Sequence, residues 1–221
     1  MSRIRRLRQL NGFTKKTTEN YQLDAGAIFI NFDFVTDKYR SAKAAGKCLG
    51  VTVDGGEFNI TNTYRNPEFD GNHSRVKGNL FIDETEVYLK VTLKEITADN
   101  LVKAIGAADC ATSTDDSDYD EITGRPYILD SDFIKNVTWV GSRLDTDNDL
   151  IIQVFNAFSE NGLGMSFKDK AEMGVEVQFY GYLDDDAYDD DDVTPPYRIL
   201  FPKKPVEETQ SATPAVNQGG N

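Results

Sequence analysis

The stretch "EVYLKVTLKEI", residues 86–96, decides the fold class of this chain. Apolar and polar side chains alternate along it one by one. The apolar set is Val87, Leu89, Val91 and Leu93, and the polar set is Tyr88, Lys90, Thr92 and Lys94. Successive side chains of a β-strand point to opposite faces of the sheet. The pattern therefore predicts a strand with one face in a core and the other in water.

A second alternating run, "GEFNITNTYR" at residues 56–65, precedes it along the chain. Phe58, Ile60 and Tyr64 fall on one side of this run. The other side carries Glu57, Asn59, Thr61, Thr63 and Arg65. Two such neighbouring runs are typical of adjacent antiparallel strands that share one apolar and one polar face.

Further strands are predicted where β-branched and aromatic residues cluster between Gly, Asp or Asn, at residues 28–35, 136–143, 149–159 and 174–183. One helix is predicted at about residues 98–106, because Thr97 suits its N-cap and Gly106 its end. The aperiodic segment 109–124 is interpreted as a long acidic loop or an insertion. Many strands and one flanking helix predict a mostly-β fold, a β-sandwich or a split, partly closed barrel with long loops.

Charge divides the chain into segments. A chain of 221 residues with a net charge of -13 is long enough for one large domain, predicted at 26–203. An extended basic arm, 1–25, precedes that domain, and 204–221 has the composition of a flexible tail. Six acids fall within 109–121 and seven within 184–192, with no base in either window. Such a distribution indicates charge-segregated surfaces.

Several classes of function lack a sequence signal. A strongly acidic body repels phosphate backbones, which argues against a nucleic-acid-binding protein. The basic start is not followed by an apolar run of signal-peptide length, so we expect a chain that is neither secreted nor membrane-embedded, with Cys48 and Cys110 as free thiols. His73 is the only histidine, and no nucleophile, zinc or phosphate-loop pattern surrounds it. We therefore expect no catalytic residue and no cofactor.

The aspartate runs invite a calcium interpretation, because carboxylate oxygens suit a hard cation. The loop that starts at Asp145 fails as an EF-hand, since Leu150 and Asn156 occupy the positions that need Gly and Glu. The run "DDDAYDDDD" (184–192) is interpreted as a solvated surface loop rather than a specific metal site.

The ordered motifs of the chain resemble those of the major tail tube protein of long-tailed bacteriophages. The resemblance covers about residues 23–203 and leaves out the Arg-rich start, the acidic segment 109–121 and the seven-Asp run. The matching stretches are "LDAGAIFINFDF", "LGVTVDGGEFNITNTYRNPEFDG", "RVKGNLF", "VTLKEITADNLVKAIGA", "FIKNVTWVGSR", "LIIQVFNAFSENGLGMSFKDKAEMGVEVQFYGYLD" and "PPYRILFPK".

The resemblance implies a structural subunit of the virion tail, assembled in the host cytoplasm. Such subunits form hexameric rings that stack head to tail around a tape-measure protein, and they meet tail terminator and distal or baseplate proteins at the ends. Strands of each subunit join into an inner β-barrel through which DNA leaves the capsid without specific binding. Two alternatives remain: the tube of a contractile or phage-tail-like particle, or a monomeric β-sandwich binding module on a virion surface. An enzyme is disfavoured by the missing motifs.

Two sets of residues follow as site hypotheses. The polar side of 56–65 supplies the candidate lumen lining, Glu57, Asn59, Thr61 and Thr63. Lys90 and Lys94 either lie off the lumen or pair with neighbouring acids. The candidate inter-subunit contacts join the basic arm to the acidic run of another copy, namely Arg3, Arg5, Arg6 and Arg8 with Asp184, Asp185, Asp186, Asp189, Asp190, Asp191 and Asp192.

Overall fold

A computed structural model describes residues 14, 17, 21, 25–71, 73–142, 148–165, 173–189 and 193–203. These residues contain ten strands and two helices. The strands are β1 (Ala27–Ile30), β2 (Thr52–Arg65), β3 (Phe81–Leu93), β4 (Ala108–Thr112), β5 (Asp120–Gly124), β6 (Ile134–Gly141), β7 (Leu150–Ser159), β8 (Gly164–Met165), β9 (Val175–Tyr180) and β10 (Tyr197–Leu200). The helices are α1 (Tyr39–Ala44) and α2 (Ala98–Ile105). The mostly-β prediction is confirmed.

Eight of the strands form one antiparallel sheet in the order β1-β6-β7-β9-β3-β2, with β10 also paired to β7 and β8 to β9. Strand β7 belongs to both halves of this sheet. Its residues 150–157 pair with β6, whereas Phe158 and Ser159 pair with β9. The sheet therefore has two halves that meet at β7, one with β1, β6 and β10 and the other with β9, β8, β3 and β2. The rings of Phe58 in β2 and Tyr197 in β10 lie 6.2 Å apart between these halves.

The larger of two hydrophobic clusters lies between the halves of the sheet. Strand β3 sends Val87, Leu89, Val91 and Leu93 into it, each at most 2% exposed, as the alternation predicts. Strands β1, β6 and β7 of the other half contribute Ile28, Val137 and Val154 to the same cluster. Burying these apolar side chains on both sides is the main stabilising term of such a fold, at about 25 cal/mol per Å² of apolar surface.

Helix α2 covers one end of this core and follows the sequence prediction within one residue. Its N-cap is Thr97, whose hydroxyl oxygen accepts a hydrogen bond from Asn100 N at 3.1 Å. Its C-cap is Gly106, with φ of +88°. A Cβ at that position would lie 2.6 Å from the Ser159 carbonyl oxygen, so only glycine fits both the turn and the contact with β7.

Three sequence predictions are wrong in detail. The strand predicted at 28–35 ends at Ile30, because Asn31 turns the chain with φ of +51°. Helix α1 and strands β8 and β10 were not predicted. The segment 109–124 is a loop only at 113–119, since its two ends pair in a hairpin of β4 and β5, in register from Ala108 opposite Gly124 to Thr112 opposite Asp120. Backbone pairing organises this segment despite its acidic side chains.

An arginine fixes the base of the β4–β5 hairpin. The Nη2 atom of Arg125 lies 2.5 Å from Asp132 Oδ1, and both side chains are more than 90% buried. Arg125 Nε lies 2.9 Å from Asp109 Oδ2, an ion pair without hydrogen-bond geometry. Burial raises the pKa of Asp132, but hydrogen bonds from Arg125 and the Leu129 N–H outweigh burial and hold that pKa below its usual value.

A buried polar network holds the turn after β1 against β6 and β7. Gln153 is 1% exposed, and its Nε2 donates to the Phe32 carbonyl oxygen at 3.1 Å and to Thr138 Oγ1 at 3.0 Å. Its Oε1 accepts from Arg198. Asn136 Oδ1 accepts from the Phe32 N–H at 2.9 Å. Every polar group of the glutamine side chain therefore has a partner, which makes its burial tolerable.

Candidate functional site

The outer face of the β2–β3–β9 half of the sheet is polar and is called here the polar face. Its side chains alternate with those that enter the core. They are Glu57, Asn59, Thr61 and Thr63 of β2, Glu84, Glu86, Tyr88, Lys90 and Thr92 of β3, and Glu176, Gln178 and Tyr180 of β9. Four carboxylates thus stand against one ammonium, and the face carries a net negative charge.

The single lysine of the polar face is paired. Lys90 Nζ lies 2.9 Å from Glu176 Oε1 on the neighbouring strand, where Lys90 is opposite Gln178 in register. The hydrogen bond to Glu176 raises the pKa of Lys90 above its usual value. Of the two alternatives for this lysine, pairing with an acid is therefore the arrangement found. Its positive charge is balanced within the face.

Two tyrosines occupy the centre of the polar face. The rings of Tyr88 and Tyr180 lie 5.6 Å apart, and the Tyr88 hydroxyl donates to Glu57 Oε1 at 3.1 Å. Desolvation, followed by the hydrogen bond to Glu57, raises the pKa of Tyr88. Desolvation also raises the pKa of Tyr180, with the charges of Glu86 and Glu160 adding to it. Both phenols therefore stay protonated at neutral pH and add no charge to the face.

One side of this half-sheet ends in a strand that has no further neighbour among the described residues. Strand β2 spans 14 residues and pairs only with β3. On the opposite side, β9 pairs with the end of β7 and with the two residues of β8. An unpaired strand edge presents a row of free N–H and C=O groups that another strand can use.

Strand β2 departs from regular geometry near its start. The register with β3 shifts between Val53 and Gly56, where Asp54 and Gly55 have φ of +59° and +74°. A bulge of this kind bends a strand and increases its twist. Beyond the bulge the pairing with β3 is regular as far as Thr63, so the edge from Gly56 to Thr63 is available as one uninterrupted run.

The predicted lumen residues lie together. Glu57, Asn59, Thr61 and Thr63 all occupy the polar face; Asn59 is half-buried and the other three are exposed. Their role as a lining stays a prediction. Within the acidic run, Asp184, Asp185 and Asp186 are exposed at the start of a short 3-10 turn, Asp185–Asp189. Arg3, Arg5, Arg6, Arg8, Asp190, Asp191 and Asp192 lie outside the described residues.

Sequence reasoning missed a groove that adjoins the polar face and shares Glu84, Glu86 and Tyr180 with it. It has a volume of about 760 Å³ and lies between the start of β3, the end of β9 and the segment 193–196. The groove carries six carboxylates, namely Asp83, Glu84, Glu86, Glu160, Asp184 and Asp185. The run "DETE" at 83–86 signals part of this set. Only the pairing of β3 with β9 shows that it meets Asp184 and Asp185.

The described residues offer no metal site and no membrane span. Among them, no group of three or more His, Cys, Asp or Glu side chains is placed to hold a metal ion. Within the same residues, neither helix has the length and apolar character that crossing a bilayer requires. Cys48 and Cys110 are unbridged, and His73 is exposed between β2 and β3.

The chain was also compared with known proteins. No protein-family profile matches it, and no curated protein matches it.

Proposed function

We propose that this chain is the structural subunit of a phage tail tube, which forms stacked hexameric rings around a tape-measure protein. In this proposal β2, β3, β9 and β8 of six copies join into the inner barrel. The barrel is the conduit for DNA, and tail terminator and distal or baseplate proteins bind the ends of the tube. The assembled protein belongs to the virion tail, is built in the host cytoplasm, and acts without catalysis.

The observation that carries this proposal is a half-sheet with a polar outer face and a 14-residue edge strand, β2, whose outer side has no partner among the described residues. A long exposed edge is a hazard for a soluble monomer, and proteins usually cover such an edge. Pairing β2 with the β8 side of the same half-sheet in a second copy would give part of this edge a partner. That contact is heterologous, and its repetition closes into a ring of six when successive copies are rotated by one sixth of a turn.

The dimensions of such a ring suit a conduit. Four strands from each of six copies give a barrel of 24 strands. With strands about 4.8 Å apart and tilted by about 40°, its diameter is about 48 Å at the backbone and about 38 Å inside the side chains. The apolar faces of the strands then lie in the subunit cores and the polar faces line the channel. A DNA duplex fits within it.

The charge of the polar face supports the same role. Proteins hold DNA by neutralising its phosphates with Lys and Arg, which releases counterions. The polar face offers one lysine, and Glu176 already neutralises it at 2.9 Å. A wall of carboxylates, amides and hydroxyls repels phosphate weakly and binds it nowhere, so DNA would slide along it.

Negative-stain electron microscopy of the purified chain, over a range of subunit concentrations, tests this proposal. We expect rings or tubes with a central channel, and sedimentation velocity should show their growth with concentration. A chain that stays monomeric at high concentration contradicts self-assembly and favours a monomeric binding module. The tube of a contractile or phage-tail-like particle would look the same in these images. Binding of a sheath protein to the outer surface of the tube separates that alternative.

A further inference from the structure

The groove beside the polar face has both acidic and apolar lining. Its carboxylates lie at the start of β3, after β7 and after β9. Ile82, Val193, Pro195 and Pro196 supply apolar surface between them. A groove of this size is comparable to ordinary ligand clefts, which combine apolar walls with a few charged groups. Its composition points to a ligand that is cationic and partly apolar.

Most of the groove's carboxylates have no ion-pair partner among the described residues. Arg65 Nε pairs with Asp83 at 3.0 Å, and in the described parts of the chain the other five carboxylates have no ion-pair partner. Desolvation raises the pKa of Tyr180, and the charges of Glu86 and Glu160 add to that rise. The acids are also not grouped for a metal ion among the described residues. Spread charges of this kind match a ligand with several separate cations.

The chain itself contains a segment with the complementary properties. Residues 3–8, "RIRRLR", hold four arginines and no acid, with Ile4 and Leu7 as apolar members. Arginine pairs with carboxylates through a planar fork and packs well on aromatic rings, and Tyr180 and Tyr182 line the groove. We propose that the Arg3–Arg8 segment of a second copy of this chain docks in the acidic groove, an assignment that rests on the proposed self-assembly.

The fold places the start of the domain and the groove at opposite ends of β7. Ala25 accepts a hydrogen bond from Trp139 Nε1 at 2.9 Å, close to the pair of Val140 with Ile151. The groove lies by Phe158, the partner of Tyr180. Seven residues of β7 separate these points, about 24 Å. In a head-to-tail contact, the arm end of one copy meets the groove end of the next.

A fluorescence anisotropy titration tests the docking without requiring rings. The probe is a labelled peptide of residues 1–10, added at low salt to the full chain below its assembly concentration. The groove variant is Glu160→Gln with Asp184→Asn and Asp185→Asn. The control variant, Asp115→Asn with Asp120→Asn and Glu121→Gln, makes the same charge change on the β4–β5 hairpin region. All six positions are exposed, so folding should be unaffected.

We expect the peptide to bind the wild-type chain and the control variant alike and to bind the groove variant about tenfold more weakly. A peptide with all four arginines replaced by glutamine should not bind. Equal binding to the groove and control variants overturns the assignment of the groove. A further variant replaces Arg3, Arg5, Arg6 and Arg8 of the full chain by glutamine. If the peptide binds this variant but not the wild-type chain, the arm of each wild-type chain already occupies its own groove. That result overturns the assignment to a second copy.

The same proteins separate this inference from the proposed function. Rings that form equally well from the groove variant, with no loss of peptide binding, contradict the docking and leave the tube subunit intact. Peptide binding that depends on the groove, in a chain that never forms rings, contradicts the tube proposal instead.

Discussion

Replacing Gln153 by leucine should destabilise the subunit well beyond the effect of a typical surface substitution. The side chain is 1% exposed, and its amide is the hydrogen-bond donor to the Phe32 carbonyl oxygen at 3.1 Å. Leucine has a similar size, so the change leaves the packing nearly unaltered and removes the hydrogen bonds. The Phe32 carbonyl is then buried with no donor among the described residues.

The magnitude follows from that orphaned group. A buried acceptor without a partner costs about 1–3 kcal/mol. Arg198 also loses its acceptor, but this residue is exposed and water replaces the bond at little cost. The gain from one apolar side chain offsets part of the loss. We expect the free energy of unfolding to fall by about 2 kcal/mol.

The matched control is Gln178→Leu on β9, which makes the same chemical change on the partly exposed polar face. Gln178 bonds to Tyr180 and Asn161 at 2.8 and 2.7 Å, where water can substitute. We expect a loss of about 0.5 kcal/mol or less. Urea unfolding followed by the fluorescence of Trp139, the only tryptophan, measures both variants at one subunit concentration. Equal losses for the two variants would refute the contribution assigned to the buried network.

Three other predictions address the hairpin base, the edge and the polar face. Asp132→Asn should lower the thermal midpoint at pH 7, and the difference from wild type should shrink below about pH 4. Hydrogen bonds from Arg125 and the Leu129 N–H hold the pKa of Asp132 lower in the folded than in the unfolded chain. The stabilisation from this carboxylate is therefore fully present above the unfolded-state pKa and is lost as the pH falls through the folded-state pKa. A pH-independent difference would contradict this. Thr61→Pro and Asn62→Pro should differ from each other, since adjacent N–H groups of a strand point to opposite sides. The variant whose lost N–H points to β3 should be less stable. The variant whose lost N–H points away from β3 should fold normally yet fail to form rings in sedimentation velocity. Glu176→Gln should increase DNA retention by assembled tubes in low-salt co-sedimentation because it frees Lys90, whereas Glu84→Gln, an equal charge change farther from the lysine, should have a smaller effect.

The strongly periodic parts of the chain could be predicted from sequence, because the burial of one face of a strand or helix is visible as a regular spacing of apolar residues. The alternation at 86–96 located the buried face of β3, and the Thr97 cap with Gly106 located α2. The four predicted lumen residues share one face for the same reason. Each of these inferences used side chains that are close along the chain.

The errors arose where long-range contacts override the local pattern. Phe32 and Phe34 extend the alternation of β1, yet the chain turns at Asn31, and Phe32 is buried beyond the strand with bonds to Asn136 and Gln153. The β4–β5 hairpin is short and acidic, so its pairing left no sequence signal, and Arg125 balances Asp109 and Asp132 at its base. The groove needed the register of β3 with β9, which composition does not contain.

The free edge of β2 also has a statistical consequence for a ring of six. A subunit that folds normally but carries a blocked edge can still offer its other side to a wild-type neighbour, so it enters the ring and stops closure. When about one subunit in ten is blocked, only about half of all six-membered rings contain none. A small fraction of such a variant, co-expressed with the wild-type chain, would therefore inhibit assembly much more than its fraction of the subunits suggests.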